Sequence, residues 1–235
     1  MQLERILQKH GFGTRKACRS LIRHELVAVN GQISDNPFAE IDTHGLIFTV
    51  DGVDWPYAEF ASLMLHKPSG YECSRKPLHH PSVLSLLPVQ LRERDVQPIG
   101  RLDEDTTGLL LITDDGQLNH VLSSAKRKVP KVYLATTKHP IDQSQIDQLL
   151  TGVLLNDEPE PIAAAACEIA GANLLRLTLT GGKYHQVKRM VAAAGNRVEA
   201  LHRESIGELQ LPDDLKPGEW RWLSAVDMKK LGYLA

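Results

Sequence analysis

Gly100-Arg101-Leu102-Asp103-Glu104-Asp105-Thr106-Thr107-Gly108 runs straight into Leu109-Leu110-Leu111-Ile112-Thr113, and the reading of this junction sets the fold. The run 109–112 is too short for a helix and is bounded by Gly108 and Thr113, so it reads as a buried strand. The carboxylate-rich loop before it is then anchored at one end in a core, which lets it hold a side chain still. On composition alone the same loop also reads as a solvated turn in which Thr107 and Gly108 enter a strand.

Outward from this strand, further strands are expected over 63–66, 132–137 and 174–180, with helices over 117–122, 142–150 and 185–194, the last closed by Gly195. Scattered strands with few helices favour an α+β domain on a mixed or antiparallel sheet over a doubly wound one. The N-terminal stretch differs in texture. Leu3, Ile6, Leu7 and His10 recur at helical spacing and stop at Gly11 and Gly13. Thr14 offers an N-cap to a second helix whose buried stripe is Ala17, Cys18, Leu21 and Ile22. Val27 and Val29 lead into Asn30-Gly31, a two-residue hairpin signal, with Ile33 beyond it and another strand over 46–50. A proline-bearing segment then ends the unit. The expected organisation is a small helix-helix-hairpin domain over 1–55, a linker over 56–61 and a larger domain over 62–235.

A bilayer span needs roughly 20 apolar residues in a row. The longest run here is 162–167, with 109–112 shorter still, and no secretory h-region follows the charged first ten residues, so a cytoplasmic protein is expected. Cys18, Cys73 and Cys167 are odd in number and far apart, which suits reduced thiols better than a disulfide framework or a zinc site. With 42% hydrophobic and 24% charged residues the composition is that of a globular protein, and disordered-tail and coiled-coil classes are excluded.

The net charge of −2 hides an uneven distribution. Residues 1–30 carry six Lys/Arg against two Glu, and residues 181–205 carry five against two. Two basic patches on an otherwise acidic chain steer a polyanion to chosen faces. In the first patch Arg15, Arg19 and Arg23 recur every four residues and form one ridge, with Lys16 beside it.

Three stretches carry candidate chemistry. Asp103-x-Asp105-x-Thr107 matches an aspartyl-phosphate phosphatase nucleophile motif, but that motif follows an apolar strand, and here Pro98, Gly100 and Arg101 interrupt the approach. The same residues resemble half a calcium loop, yet its twelfth position is Asp114 rather than a bidentate Glu. Second, Gly181-Gly182-Lys183-Tyr184-His185-Gln186-Val187-Lys188-Arg189-Met190 offers a tight turn, a helix start and several cations, which is good phosphate geometry and also describes a solvated basic face. Third, Lys126 to Lys131 sets a basic segment beside Tyr133, a pairing suited to gripping a backbone and stacking a base.

Together with Leu201-His202-Arg203-Glu204-Ser205-Ile206-Gly207 and Leu65-His66-Lys67-Pro68-Ser69-Gly70-Tyr71, these stretches resemble, in order, the motifs of the ribosomal small-subunit pseudouridine synthases. The N-terminal unit resembles the small RNA-binding domain shared with ribosomal small-subunit protein four. The resemblance implies isomerisation of one uridine in small-subunit ribosomal RNA to pseudouridine, by a monomer that needs no metal or other cofactor and binds no membrane. It implies Asp103 as nucleophile, Lys188 as its ionic partner, Tyr133 as base-stacking aromatic and Leu201 as apolar floor. Many relatives have arginine where this chain has Lys188, so a bidentate fork is absent. Arg15, Lys16, Arg19, Arg23, Lys183 and Arg189 are the expected RNA-binding cations. Arg101 is placed either to fill the gap left by a flipped base or to pair with Glu104 or Asp105. A non-catalytic RNA-binding protein is the rival class, but such a protein has no use for Asp103 and Lys188 together.

Overall fold

A computed structural model describes residues 1–233. The chain forms two compact units, one of Met1–Ala61 with Leu87–Gln97 and the other of Ser62–Leu86 with the chain from Pro98 onward. The segment Leu87–Gln97 thus groups with the N-terminal unit, whereas the sequence reading assigned it to the second.

In the first unit, helices α1 (Leu3–Lys9) and α2 (Arg15–Arg23) precede a four-stranded antiparallel sheet of β1 (Val27–Val29), β2 (Gln32–Ile33), β3 (Ile47–Val50) and β4 (Val53–Pro56), in the order β2-β1-β3-β4. The Thr14 hydroxyl accepts the Ala17 N–H at 3.3 Å and caps α2. Asn30 and Gly31, at φ 49° and 80°, make the expected hairpin turn. Strand β4 ends at Pro56, so the first proline of the presumed linker belongs to the sheet, on an edge strand where its missing N–H costs no ladder bond. Leu3, Ile6, Leu7, Cys18, Ile22, Val27 and Phe48 are wholly buried, but Ala17, expected in the α2 stripe, is exposed. His10 is buried in this core with both ring nitrogens engaged. Nδ1 donates to the Ile6 carbonyl at 2.8 Å and Nε2 accepts the Ala58 N–H at 3.0 Å, a neutral tautomer, and burial pushes its pKa down to about 4.

The short helix α3 (Val89–Glu93) completes this unit. Gly11, at φ 81°, lies so close to it that an added Cβ would stand 1.9 Å from the Gln90 carbonyl oxygen.

The second unit is built on one mixed sheet. Its strands are β5 (Ser62–Lys67), β6 (Gln97–Ile99), β7 (Thr107–Thr113), β8 (Lys131–Thr137), β9 (Ala166–Gly171), β10 (Leu174–Leu179), β11 (Val198–Ile206), β12 (Leu209–Gln210) and β13 (Trp220–Trp222). Their order is β13-β5-β7-β11-β8-β10-β9, with β12 beside β11 and β6 beside β7. The β7–β11 pair is parallel, while β13–β5, β5–β7, β11–β8, β8–β10 and β10–β9 are antiparallel. Helices α4 (Gly116–Ser123), α5 (Gln143–Thr151), α6 (Gln186–Ala193) and α7 (Ala225–Lys230) complete it. Among the described residues no helix is long and apolar enough to cross a membrane.

Leu109, Leu110, Leu111 and Ile112 are each wholly buried, as a strand covered on both faces requires. Each such side chain contributes about 1.5–3 kcal/mol relative to exposure, so β7 is a firm anchor for the loop before it. Gly108 is the point of closest approach. At φ 109° it pairs with Arg203, and an added Cβ would stand 2.3 Å from the Arg203 carbonyl oxygen.

Candidate active site

Loop 101–106 is held by a lysine that the sequence reading noted only within a motif. Lys67, at the end of β5, is wholly buried, and its ammonium donates to the carbonyls of Glu104 and Thr106 at 2.8 Å each and of Pro68 at 3.1 Å. Burial lowers its pKa below the usual lysine range, partly offset by Cys73 and the loop carboxylates. The Gly70 N–H donates to the Glu104 carbonyl at 3.0 Å, the Leu102 N–H to Cys73 Sγ at 3.4 Å, and the Thr106 N–H back to the Asp103 carbonyl at 3.1 Å. Asp103 therefore stands on a loop fixed at several points, with its side chain 29% exposed.

Two nitrogen-bearing side chains from the start of α6 face the Asp103 carboxylate. Lys188 Nζ lies 3.4 Å from Oδ2 and His185 Nε2 lies 3.4 Å from Oδ1. Lys188 is closer to Asp105, at 2.6 and 2.8 Å from its two oxygens. The expected ion pair with Asp103 is thus one arm of a three-membered cluster, because a lysine head sits between two carboxylates without the fork that would commit it to one. Burial opposes charge on both Asp105 and Lys188, yet their mutual hydrogen bond and charge prevail, lowering the Asp105 pKa and raising that of Lys188.

The start of α6 is set by Gln186, which is buried and folds back so that its Oε1 accepts the Lys183 N–H at 2.9 Å, closing the Gly181–Gly182 turn. His185 precedes the helix in the left-handed region at φ 48° and stacks on the exposed Tyr184 ring at 3.8 Å.

Asp103 opens onto a cleft of about 380 Å³ that is also lined by Arg101, Lys131, Tyr133, His185 and Arg203, with Ile99, Leu111, Leu122 and Ile206 as apolar wall. A smaller adjoining recess brings in Thr106, Leu201 and Gln186 while sharing Asp103 and Tyr133. Tyr133 and Leu201 are buried, at 9% and 7% exposure, so both present faces to the cleft rather than to solvent. The structure thus gathers Asp103, Tyr133, Lys188 and Leu201 from four separate elements.

Arg203 and Thr106 were not singled out individually as site residues. Among the described residues, the buried side-chain polar atoms without a partner are Arg203 Nη2 and Thr106 Oγ1, and both residues line this site. Burial and the nearby Arg203 charge push the Lys131 pKa down. An arginine at an inward position, inside the polar run 202–205, hides the strand from a hydrophobicity reading.

The expected RNA-binding cations divide. Arg101 is exposed and, among the described residues, forms no ion pair with Glu104 or Asp105. Lys183 pairs with Glu158, and Arg189 pairs with Asp157 and donates to the Tyr184 carbonyl at 3.1 Å. On α2, Arg15, Lys16 and Arg23 are exposed, but Arg19 leaves the ridge to pair with the buried carboxylate of Glu4 and to cover the Phe38 ring, 5.1 Å from its centroid. Glu4 lies inward on α1, a position that sequence spacing did not reveal.

The loop is entered by β6, a short edge strand containing Pro98, where the sequence reading expected no strand. A cation between Asp103 and Asp105 would compete with the Lys188 ammonium for the same oxygens.

Asp103, with Lys188 beside it, shares one recess with the buried Tyr133 and Leu201. The profile of the family described as RNA pseudouridylate synthase matches residues 61–193, and the chain belongs to that family. It is 36% identical over 229 residues to the ribosomal small subunit pseudouridine synthase A of Pasteurella multocida, covering 97% of this chain and 98% of that one. With the protein of the same name from Yersinia pestis it shares 44% over 169 residues, 72% of each chain. A crystal structure of a pseudouridylate synthase superposes with a TM-score of 0.70 at 34% identity, over 98% of this chain and 99% of that one. As a member of that family the protein is an RNA pseudouridine synthase.

Proposed function

We propose that the protein isomerises one uridine of small-subunit ribosomal RNA, acting as a monomer, with Asp103 as the reactive carboxylate. The observation that carries this reading is the meeting of Asp103, Tyr133 and Leu201 around one cleft, with Lys188 and His185 on the two oxygens of Asp103. Lys188 places a positive charge beside the carboxylate, and the rigid loop spends no free energy on ordering it at the moment of reaction. The carboxylate meets the sugar carbon as the C1′–N1 bond breaks, with the bonding pair left on the base. Tyr133 and Leu201 keep the detached ring between them while it turns. C5 then bonds to C1′ as the Asp103 oxygen leaves C1′ with its electron pair, C5 loses its proton and N1 gains one.

A uridine in folded RNA reaches this cleft only if it is flipped out, at a cost of about a few kcal/mol. Arg101, exposed at the mouth two residues before Asp103, is the group we assign to the vacated space. The N-terminal domain, with Arg15, Lys16 and Arg23, supplies docking on the RNA, and Lys183 and Arg189 supply cations at the catalytic domain.

The test is incubation with small-subunit RNA followed by carbodiimide-primed extension to map pseudouridine. Wild type should modify one position. Asp103→Asn keeps size and hydrogen bonding, so it should retain folding and RNA affinity and lose turnover, and activity within tenfold of wild type would reject Asp103 as the reactive group.

A further inference from the structure

Two cations on the wall of the Asp103 cleft have no carboxylate opposite them. Arg203 is 2% exposed; its Nε donates to the Leu109 carbonyl at 2.8 Å, and its Nη2 is buried without a partner. Lys131 Nζ donates to the Val129 carbonyl at 3.1 Å, and among the described residues neither cation forms an ion pair. A buried charge without a counter-charge is costly, and a native donor left unpaired calls for an occupant of the site.

The sheet register says what that occupant presents. Arg203 on β11 stands directly opposite Tyr133 on β8, and Lys131 is two residues before Tyr133 on the same face. The two cations therefore flank the aromatic ring that holds the base. An RNA backbone must enter and leave the cleft, so its phosphates stay at the open edge. The base is the part of a flipped nucleotide that reaches a wall shared with Ile99, Leu111, Leu122 and Ile206.

We propose that Arg203 and Lys131 bind the ring carbonyl oxygens of the target uracil, and that they thereby select uridine over cytidine. The proposal rests on the reading of Asp103 and Tyr133 given above. Both cations can only donate. Uracil offers them O4, where cytosine offers an amino group that would set donor against donor, a mismatch that sites built on hydrogen bonds reject strongly.

Uracil also has an approximate two-fold axis through N3 and C6. A half-turn about it exchanges N1 with C5 and O2 with O4, and this half-turn is the rotation the isomerisation requires. Donors that hold O4 in one orientation hold O2 in the other, so the same pair grips the ring before and after it turns. Between the two, the negative charge left on the ring by C1′–N1 cleavage spreads over N1, O2 and O4, where the cations stabilise it.

The test uses the full chain and an RNA fragment with uridine, 4-thiouridine or 2-thiouridine at the mapped position, read as single-turnover rates. Sulfur accepts hydrogen bonds poorly, so wild type should be slowed about tenfold to a hundredfold by either thio substitution. Arg203→Met and Lys131→Met should be slow on uridine itself and should lose most of the thio penalty. A variant that is slow yet keeps the wild-type penalty acts structurally, which overturns the proposal for that residue. Where Arg203→Met fails to fold, Lys131→Met and Arg203→Lys carry the comparison, and wild type processing both thiouridines at the uridine rate overturns the proposal with no variant needed. An active Asp103→Asn defeats the underlying reading instead, so the two failures are distinct.

Discussion

The Lys188 ammonium lies 2.6 Å from Asp105 and 3.4 Å from Asp103, so the lysine on α6 is anchored by the neighbour of the carboxylate it serves. Asp105 is the more exposed of the two acids, at 57% of its side chain against 29% for Asp103. The arrangement fixes the ammonium in place while leaving one Asp103 oxygen against it and the cleft in front.

Lys188→Met removes the charge but keeps the stem. Asp103 and Asp105 then share no ammonium between them. Turnover should fall by about a hundredfold or more, with RNA affinity changed less than threefold by filter binding. Asp105→Asn should cost about tenfold or less, since Lys188 keeps its contact with Asp103. Equal losses in the two variants would mean that Asp105, not Asp103, is the group that Lys188 serves.

Lys67→Met should be the more damaging change to folding. It strips the carbonyls of Pro68, Glu104 and Thr106 of their shared donor inside the protein. The Glu104 carbonyl keeps the Gly70 N–H, and leaving the other two unpaired costs about 1–3 kcal/mol each at most, with partial relief by water. Denaturant unfolding should show a loss of roughly 2–4 kcal/mol, and turnover should drop even where the variant is fully folded, because the Asp103 loop is no longer fixed.

Much of this was legible in the sequence and some was not, for physical reasons. Leu109 to Ile112 declared a buried strand because no other element hides an apolar run so short, and Thr14 and Asn30-Gly31 announced their cap and turn through chemistry that acts over two or three residues. Strand β11 was missed because its buried positions include the polar residues Arg203 and Ser205, of which Arg203 lines the site. Arg19 was misread for the converse reason: its partner Glu4 lies fifteen residues away on another helix, and spacing along one helix carries no information about the next. Local rules found the elements and the Asp103 loop, while the long-range polar contacts of Lys67, Arg203 and Glu4 became visible only in the folded chain.

Glu72 gives a pH dependence of definite sign. Its carboxylate accepts the N–H groups of Leu78, His79 and His80 at 2.8–3.0 Å, and these bonds hold its pKa down to about 2. A carboxyl depressed in the folded state stabilises above its ordinary value, and that contribution is lost as pH falls through the folded pKa. Amide hydrogen exchange at Leu78, His79 and His80 should therefore stay protected at pH 5 and lose protection progressively toward about pH 2. Glu72→Gln should abolish this pH dependence and raise exchange at the same three amides, leaving exchange in β7 unchanged.

The salt dependence of RNA binding separates the exposed cations of α2 from the engaged one. Arg15, Lys16 and Arg23 are exposed, whereas Arg19 is paired with the buried carboxylate of Glu4. Each cation that neutralises a phosphate contributes a log–log slope of about −0.7 to −0.9. Changing Arg15, Lys16 and Arg23 together to Gln should therefore flatten the slope of affinity against salt by roughly two to three units. The rate at saturating RNA should stay near wild type, since all three lie on α2, outside the catalytic domain. Arg19→Gln should leave the slope almost unchanged and instead lower the thermal unfolding midpoint, because it removes the partner of the Glu4 carboxylate on α1. Affinities measured at several salt concentrations, with thermal unfolding of each variant alongside, decide the matter: a slope unmoved by the triple change makes the ridge a solvated helix face, and a slope flattened by Arg19→Gln alone makes the Glu4 pair dispensable when RNA binds.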